Sequence, residues 1–379
     1  MNKRNYLLLS ILVILATIAG NVLAEHTPLR VGWAGGHLVD HRGDTIGPSI
    51  LHTRNKGRKW VEQADAYRWP GYRVTDVSAV DKLTAWASLS GDVGARGVIL
   101  HTRNGGVKWV EQTVPEGVAG GIKQIKGLSR SEAWAASIQG SIVHTTDGGQ
   151  TWSIVEHPSI PITQVNRMDV IGCVDPKDAT RPGKNKLVSN ANIWIADDQG
   201  GKWGMVHSLY NGELWRQEYV PYTLASTGIH MLDAYSPRIA WTVAWFDGMI
   251  FRTLDGGETW ELAAEVGPND IDDMCSPSPD TLWAVQYQNT VGFIHHVRVF
   301  DVGEPEVRSF NPFDGYLYEG MTCVDDQTAL VVGLKASSSD PLLPDGLIIS
   351  TSDGGQNWIR HSIPDNVVLW KTSFVGAQR

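Results

Sequence analysis

Aspartates recur along this chain in a fixed eight-residue frame, and carboxylates repeated at one spacing could serve acid–base or nucleophilic chemistry. The frame T-x-D-G-G-x-T-W occupies residues 145–152 and 253–260, and residues 351–358 repeat it with asparagine for the second threonine. Residues 53–60 and 102–109 keep the frame with asparagine at the aspartate position. Each copy follows a short apolar run, and its glycines suit the positive φ of a tight turn. The pattern therefore indicates strand, turn, strand, and it favours a structural role over a catalytic one.

Each such turn is termed a box, and a tryptophan closes it where the next strand begins. A degenerate copy at residues 208–215 keeps the frame with Tyr210 in the aspartate position. The residues to which we assign this structural role are Asn55, Asn104, Asp147, Asp255, Asp353, Trp60, Trp109, Trp152, Trp215, Trp260 and Trp358.

The densest set of possible metal ligands is His37, Asp40, His41 and Asp44. They lie in a glycine-rich segment, where we favour a solvated turn over a metal site. The sequence holds no C-x-x-C-H haem motif, no H-E-x-x-H zinc motif, no G-x-S-x-G nucleophile and no phosphate loop. We therefore predict no cofactor, no catalytic residue and no activity for the isolated chain.

Three cysteines are too few for a disulfide framework. Cys275 and Cys323 precede Trp283 and Val331 by the same interval, so they occupy equivalent places on neighbouring inner strands. A disulfide between them is one interpretation, and two buried free thiols is the one we favour. Cys173 is expected to stay free near a polar loop.

The box tryptophans set the period of the chain. Trp60, Trp109 and Trp152 lie about one repeat apart, whereas the gaps to Trp260 and then to Trp358 each span about two. Repeats of roughly 40–50 residues with four strands each are typical of a β-propeller. Filling the long gaps with the copy at 208–215 and with two strands in 293–310 predicts an all-β, seven-bladed propeller with four-stranded blades.

A second tryptophan series supports this count. Residues 31–34 then start the first blade at its second strand, and residues 369–376 form one strand too many at the other end. We expect the C-terminal strand to join the first blade, which closes the ring and removes an open edge, in a single domain over residues 25–379. The tryptophans of this series, expected in the core between blades, are Trp33, Trp86, Trp134, Trp194, Trp241 and Trp283.

Residues 1–24 have the pattern of a cleaved signal peptide. Lys3 and Arg4 precede an apolar run, and Val22, Leu23 and Ala24 fit a small-residue cleavage site; an uncleaved anchor is the rival interpretation. The chain has a formal net charge of -9 and no basic stripe, which argues against nucleic-acid binding. We expect a protein exported to the periplasm or to a lumen, with no membrane insertion after cleavage.

The boxes resemble the Asp-box, or bacterial neuraminidase repeat, of a large propeller class. Sialidases carry such boxes, so a sialidase-like glycosidase is one hypothesis. The R-I-P motif of that family is missing, however, and residues 29–31 (LRV) are a poor match. The chain is also similar to the photosystem II stability and assembly factors, which are exported seven-bladed propellers with the same turns.

As a whole, the sequence resembles the β subunit of hydrazine synthase, through its signal peptide, seven tryptophan-rich blades and lack of a haem motif. That resemblance implies a haem-free, non-catalytic scaffold within an oxidoreductase complex, in a compartment such as the anammoxosome. Its partners would be haem-bearing α and γ subunits that make hydrazine from nitric oxide and ammonium. This is the function that we favour from the sequence, and an assembly factor is the alternative.

Aromatic residues in loops mark the face where we expect a protein partner. Tyr67, Trp69 and Tyr72 lie in the link between the first and second blades. The loops joining second to third strands should lie on the same face. They are predicted to be long in three neighbouring blades, at residues 36–48, 91–97 and 335–346.

Two further segments are candidates for partner contact. Trp245, Phe246 and Asp247 form the tip of a short turn in the fifth blade, where the rings either fold back on a neighbouring blade or insert into a partner. The basic insert at residues 175–192 belongs to the box face. It is either a flexible loop, which we favour, or a docking site for an acidic partner.

Overall fold

The computed structural model describes residues 30–92, 94–157, 162, 164–172, 191–197, 205–209, 212, 214–218, 220, 228–244, 248–288, 291–335 and 345–377. Regular secondary structure in these ranges is β-strand, apart from one 3-10 turn at Ala66–Arg68. The predicted signal peptide, Cys173, the turn at residues 245–247 and nearly all of the insert at 175–192 lie outside the described residues.

The strands follow one another in hairpins. The first three sheets contain β1 (Gly32–Val39), β2 (Thr45–Thr53), β3 (Val61–Glu62); β4 (Arg73–Asp81), β5 (Thr84–Ser90), β6 (Val98–Thr102), β7 (Val110–Gln112); and β8 (Ile122–Gly127), β9 (Ala133–Ser137), β10 (Ile142–Thr145), β11 (Ser153–Val155). The next two contain β12 (Val165–Ile171), β13 (Asn192–Asp197), β14 (Met205–Leu209), β15 (Leu214–Glu218); and β16 (Ile229–Ala234), β17 (Ala240–Ala244), β18 (Met249–Thr253), β19 (Glu261–Glu265). The last strands are β20 (Ile271–Ser278), β21 (Thr281–Gln288), β22 (Val291–Arg298), β23 (Glu306–Phe310); β24 (Tyr316–Cys323), β25 (Ala329–Lys335), β26 (Gly346–Thr351), β27 (Ile359–Arg360); and β28 (Val367–Phe374).

The predicted all-β propeller with four-stranded blades is confirmed. The described strands form seven four-stranded antiparallel sheets, numbered here as blades 1 to 7 in chain order. In blade 1 the order is β28, β1, β2, β3, and β28 pairs antiparallel with β1 from Gly32 opposite Phe374 to Leu38 opposite Val367. Successive inner strands contact one another around the axis, in the order β4, β8, β12, β16, β20, β24, β28 and again β4.

The core lies between the blades. All six tryptophans of the second series have no solvent exposure. Trp86 of blade 2 meets Trp152 of blade 3 edge to face at 5.8 Å, and Trp194 meets Trp260 of the next blade in the same way at 6.1 Å. A blade therefore buries its faces only against its neighbours, which explains why the tryptophans recur with the period of the repeat.

Every inner strand has a register shift, the mark of a β-bulge, at an equivalent position near its start or, in β24 and β28, near its middle, and β4 and β20 each have a second shift further along. In β4, for example, Val74 pairs with Leu89 and Asp76 with Ser88, so Thr75 has no partner across the ladder. A bulge changes the direction of the side chains beside it. Because the seven inner strands have bulges at equivalent positions, the same arrangement of side chains repeats around the axis. The residues at which the register shifts, termed the mouth residues below, are Thr75, Lys123, Asn166, His230, Asp272, Glu319 and Trp370.

Two expectations from the sequence are wrong. Cys275 and Cys323 form a disulfide rather than two free thiols, because adjacent inner strands bring their Cα atoms to 5.9 Å. The long loop expected at residues 36–48 is short, since β1 continues to Val39 and β2 begins at Thr45. Gly36 and Gly47 lie within paired strand, and only Gly43, with φ 84°, belongs to the short turn.

Candidate functional site

The box aspartates are engaged within their own turns. Asp147 accepts hydrogen bonds from the Thr151 backbone N–H at 3.0 Å, the Thr151 hydroxyl at 2.6 Å and the Thr145 hydroxyl at 2.9 Å. The hydrogen bonds from Thr151 lower the pKa of Asp147 to about 2. Gly149, with φ 83°, closes the turn so near to Gln112 of the preceding blade that a side chain would collide with it. This geometry ties each turn to its neighbour and leaves the carboxylate poorly suited to catalysis.

Asparagine performs the same task in the first two boxes. The Asn55 side-chain oxygen accepts from the Lys59 backbone N–H at 2.9 Å, and Asn104 accepts from Lys108 at 2.9 Å. The turn therefore needs an acceptor rather than a charge. Four of the box tryptophans, Trp60, Trp109, Trp152 and Trp260, are buried, whereas Trp215 and Trp358 are half-buried.

A second group of aspartates lies around the axis, and the sequence analysis did not find it. The carboxylate of Asp76 accepts from the Ile125 backbone N–H of the next blade at 2.9 Å. Asp169 accepts from Ala234 of the next blade at 2.9 Å. In blades 5 and 6, Asp233 and Asp273 accept from Ser276 and Met321 of the following blade at 2.7 and 3.1 Å. Side chains of the inner strands thus bond successive blades together.

Three cations balance these carboxylates around a cavity of about 80 Å³. Asp273 pairs with Arg167 and with Lys371, both at 3.1 Å, and Lys126 pairs with Asp169 at 2.5 Å. Burial opposes the ionisation of Asp273, but Arg167 and Lys371 outweigh it and hold its pKa below the ordinary value. We term this arrangement the axial cluster: Asp76, Lys126, Arg167, Asp169, Asp233, Asp273 and Lys371.

The axial cluster could have been suspected from one signal. Each member is a charged residue inside a short apolar strand, as in VNRMDVI of β12. A charge in such a position is buried at high cost unless it is paired. The sequence does not show which residue pairs with which, because the partners come from strands far apart along the chain.

Most of the mouth residues are polar, and several of them bond to or lie near one another. Lys123 donates to the Asn166 side chain at 3.4 Å, and Asn166 donates to the Ile229 carbonyl of the next blade at 2.9 Å. Burial, reinforced by the nearby Glu319 carboxylate, raises the pKa of Asp272 to about 8. The mouth residues therefore combine cationic, acidic and amide side chains at equivalent positions of neighbouring inner strands.

The aromatic residues predicted to contact a partner separate into two kinds. Trp69 is only 6% exposed, belongs to the same buried cluster as Trp33, and donates from Nε1 to Glu111 at 3.2 Å. Its assignment as a surface anchor is wrong, because the 3-10 turn folds the ring inward. Tyr67, by contrast, is 79% exposed. Tyr72 donates from its hydroxyl to the Arg96 carbonyl at 3.3 Å, across to the loop at residues 91–97.

The candidate metal ligands are not brought together. His37 is buried, and its Nδ1 accepts from Trp370 Nε1 at 3.0 Å. Asp40 accepts from the backbone N–H groups of Arg42 and Asp44 at 2.8 and 3.0 Å, while His41 is exposed in the turn. Within the described ranges, no three His, Cys, Asp or Glu side chains gather as metal ligands would. No helix in the same part of the chain is long and apolar enough to cross a membrane.

Fold and site together define the class: a β-propeller whose carboxylates hold turns and blades in place. The family model of the photosynthesis system II assembly factor YCF48 matches residues 39–173. That match covers less than half of the chain and shows a similarity to the family from the end of β1 through β12. No curated protein matches the sequence.

Solved structures show the same fold over most of the chain. YCF48 bound to D1 peptide aligns with a TM-score of 0.58 and 16% identity, over 85% of this chain and 96% of that one. YCF48 from Cyanidioschyzon merolae aligns with a TM-score of 0.55 and 15% identity, over 85% of this chain and 99% of that one. The GH74 enzyme of Niastella koreensis aligns with a TM-score of 0.54 and 11% identity, over 90% of this chain and 69% of that one. None of these similarities supports the resemblance to the β subunit of hydrazine synthase, which the sequence analysis had favoured.

Proposed function

We propose that this chain is a non-catalytic, partner-binding propeller of the YCF48 type, which assists the assembly or stability of another protein. The observation that carries the proposal is the YCF48 family match over residues 39–173, together with a YCF48 structure of similar fold that is bound to D1 peptide. The geometry agrees, because the box carboxylates are held by their own turns and those of the axial cluster by neighbouring blades. In this proposal the seven blades close through β28 into a rigid ring that presents its loops.

The proposed contact face is the one that carries the links between blades. Because the strands alternate in direction, the link that contains Tyr67, the loop at residues 91–97 and the mouth residues lie at the same end of the blades. Tyr67 is the best described anchor, since tyrosine offers apolar area and a hydroxyl at small entropic cost. We also propose that the signal peptide is cleaved and that the protein works in the periplasm or in a lumen.

The test is affinity purification of the tagged chain from its native host after mild cross-linking. We expect a membrane-protein subunit or its precursor, recovered at less than fixed stoichiometry, as suits a transient factor. Recovery of two haem-bearing chains in fixed stoichiometry would overturn this proposal in favour of a hydrazine synthase subunit. Recovery of no protein above the untagged control would overturn both.

A matched pair of variants tests the face. Tyr67→Ala should reduce partner recovery at least several-fold and leave the unfolding transition unchanged, because the ring contacts little of its own chain. Val107 is the control, since it is equally exposed at 79% but lies in the box of blade 2, at the opposite end of the blades. Equal loss with Val107→Ala, or no loss with Tyr67→Ala, would remove this face from the proposal.

A further inference from the structure

The boxes differ in charge in a way that the fold does not require. The box of blade 1 holds Arg54, Lys56, Arg58 and Lys59 with no carboxylate, and Asn55 replaces the usual aspartate. The box of blade 5, at residues 253–260, holds two carboxylates and no cation. On a chain of net charge -9, the first box is therefore a local concentration of positive charge.

Lys56 occupies a position that favours glycine. Its φ is 63°, and the equivalent residues of the boxes at 102–109, 145–152, 253–260 and 351–358 are glycines, such as Gly105 with φ 70° and Gly148 with φ 76°. The Lys56 backbone N–H donates to the Arg30 carbonyl at 3.2 Å, as Gly105 donates to Leu83 at 2.8 Å, so the turn has the same form. A side chain in this conformation is strained, and strain at an exposed position suggests that the ammonium group is retained for function.

The charged box borders a groove of about 520 Å³ between blades 7 and 1. Lys56 and Arg58 line one side, and Ile359 and Arg360 of β27 line the other. Arg360 is already paired with Asp345 at 3.0 Å, whereas Lys56 and Arg58 are exposed and make no ion pair with the described residues. The volume lies within the roughly 300–1,000 Å³ of ligand-binding clefts.

The walls of the groove combine charge with an apolar surface and an open strand edge. The Ile359 side chain is 62% exposed, and Leu330 lies at the floor. Strand β27 is the last strand of its sheet, with no neighbour on its outer side in the described part of the chain. An extended segment could pair with such an edge. Among the described residues that line the groove, Asp325 is the one with a carboxylate, and it accepts from the Gln327 backbone N–H at 2.9 Å.

We propose that this groove binds an extended acidic segment of a protein partner. Carboxylates of that segment would bind Lys56 and Arg58, and an apolar side chain would pack on Ile359. A protein segment fits better than a nucleic acid, because the net charge of -9 repels a long polyanion while two cations can hold a few carboxylates. The inference rests on the proposed function, in that it names the partner chemistry and adds a second contact on the box face.

The experiment measures fluorescence anisotropy of a labelled short peptide in which glutamate and valine alternate, and of its glutamine counterpart, with the full chain. We expect the glutamate peptide to bind about tenfold more tightly or better, with affinity falling as salt rises. Lys56→Gly and Arg58→Gln should each weaken binding about three- to tenfold. Lys56→Gly restores the residue that the turn favours, so its thermal stability should be no lower and a folding defect cannot explain the loss.

Lys108→Gln is the matched control, because it removes one exposed cation from the neighbouring box without touching the groove. Affinity equal to wild type in this variant supports the groove, and an equal loss would show that only overall charge matters. No preference for the glutamate peptide would also overturn the inference. Carrying Arg58→Gln through the native-host purification separates the two proposals. Reduced partner recovery supports the groove, unchanged recovery refutes the groove alone, and no recovery even with wild type refutes the proposed function.

Discussion

Two sets of aspartates stabilise different parts of this molecule, one the turns and the other the contacts between blades. Those of the boxes are partly exposed and bond to residues two to four positions away, as Asp147 bonds to Thr145 and Thr151. Those of the axial cluster are buried and bond to a different blade, as Asp273 bonds to Met321 and Arg167. The first set shapes a turn that asparagine can also shape, whereas the second set holds neighbouring blades together.

The difference follows from solvent. An exposed carboxylate can exchange its partners for water, so the net contribution of its hydrogen bonds is small. A buried carboxylate that loses its partners leaves both itself and their charges uncompensated in a medium of low polarity. The repeated motif that is most visible in the sequence should therefore matter less for stability than the scattered residues around the axis.

The largest expected effect is at the axial cluster. Asp273→Ala should lower the free energy of unfolding by about 3–5 kcal/mol, because it leaves Arg167 and Lys371 without their shared carboxylate. Urea unfolding followed by tryptophan fluorescence measures this. A loss below about 1 kcal/mol would mean that the ion pairs are no stronger than exposed ones.

The disulfide between blades 6 and 7 should come next. Cys275 and Cys323 join neighbouring inner strands covalently. The double variant Cys275→Ser, Cys323→Ser should lower the free energy of unfolding by about 2–4 kcal/mol. The comparison is with wild type unfolded in the presence and absence of reductant. If reduction leaves wild-type stability unchanged, the covalent bond contributes nothing beyond the packing of the two strands.

Replacing a box aspartate should lower the free energy of unfolding by less. Asp255→Ala removes the acceptor for the Thr259 backbone N–H and for the hydroxyls of Thr253 and Thr259. The expected loss is about 1 kcal/mol, and Asp255→Asn should lose less, because Asn55 and Asn104 serve in the first two boxes. Both are measured in the same urea titrations as Asp273→Ala. A loss from Asp255→Asn as large as that from Asp273→Ala would reverse the contrast drawn here.

The smallest effect is one of titration. The hydrogen bonds from Thr151 lower the pKa of Asp147 to about 2, so its contribution to stability is present above its unfolded pKa of 3.8 and is lost as pH falls through 2. Burial and the nearby Asp169 raise the pKa of Asp233, so this carboxyl should take up a proton at higher pH than Asp147. Carboxyl-carbon NMR shifts measure both. Titration of Asp147 at higher pH than Asp233 would contradict the burial contrast.

The sequence predicted much of the fold and less of the candidate site. The fixed spacing of the boxes made them recognisable, and the second tryptophan series predicted the core. Both patterns recur with the period of one repeat. Spacing misled at Trp69, whose place in a link suggested exposure, whereas the 3-10 turn Ala66–Arg68 directs the ring into the core. Spacing also misled at Cys275 and Cys323. It placed them at equivalent positions of neighbouring strands but did not show that the two strands come close enough for a disulfide.

Local sequence determined the turns, the strands and their period, because a box closes on itself within eight residues and each blade repeats the pattern. Only the tertiary structure decided which charges meet. Asp273 of β20 binds cations from β12 and β28, both far from it along the chain, and Lys56 borders a groove whose other wall is formed by β27. Packing the inner strands of different sheets against one another creates these contacts between distant strands, and burial then makes their pairing obligatory.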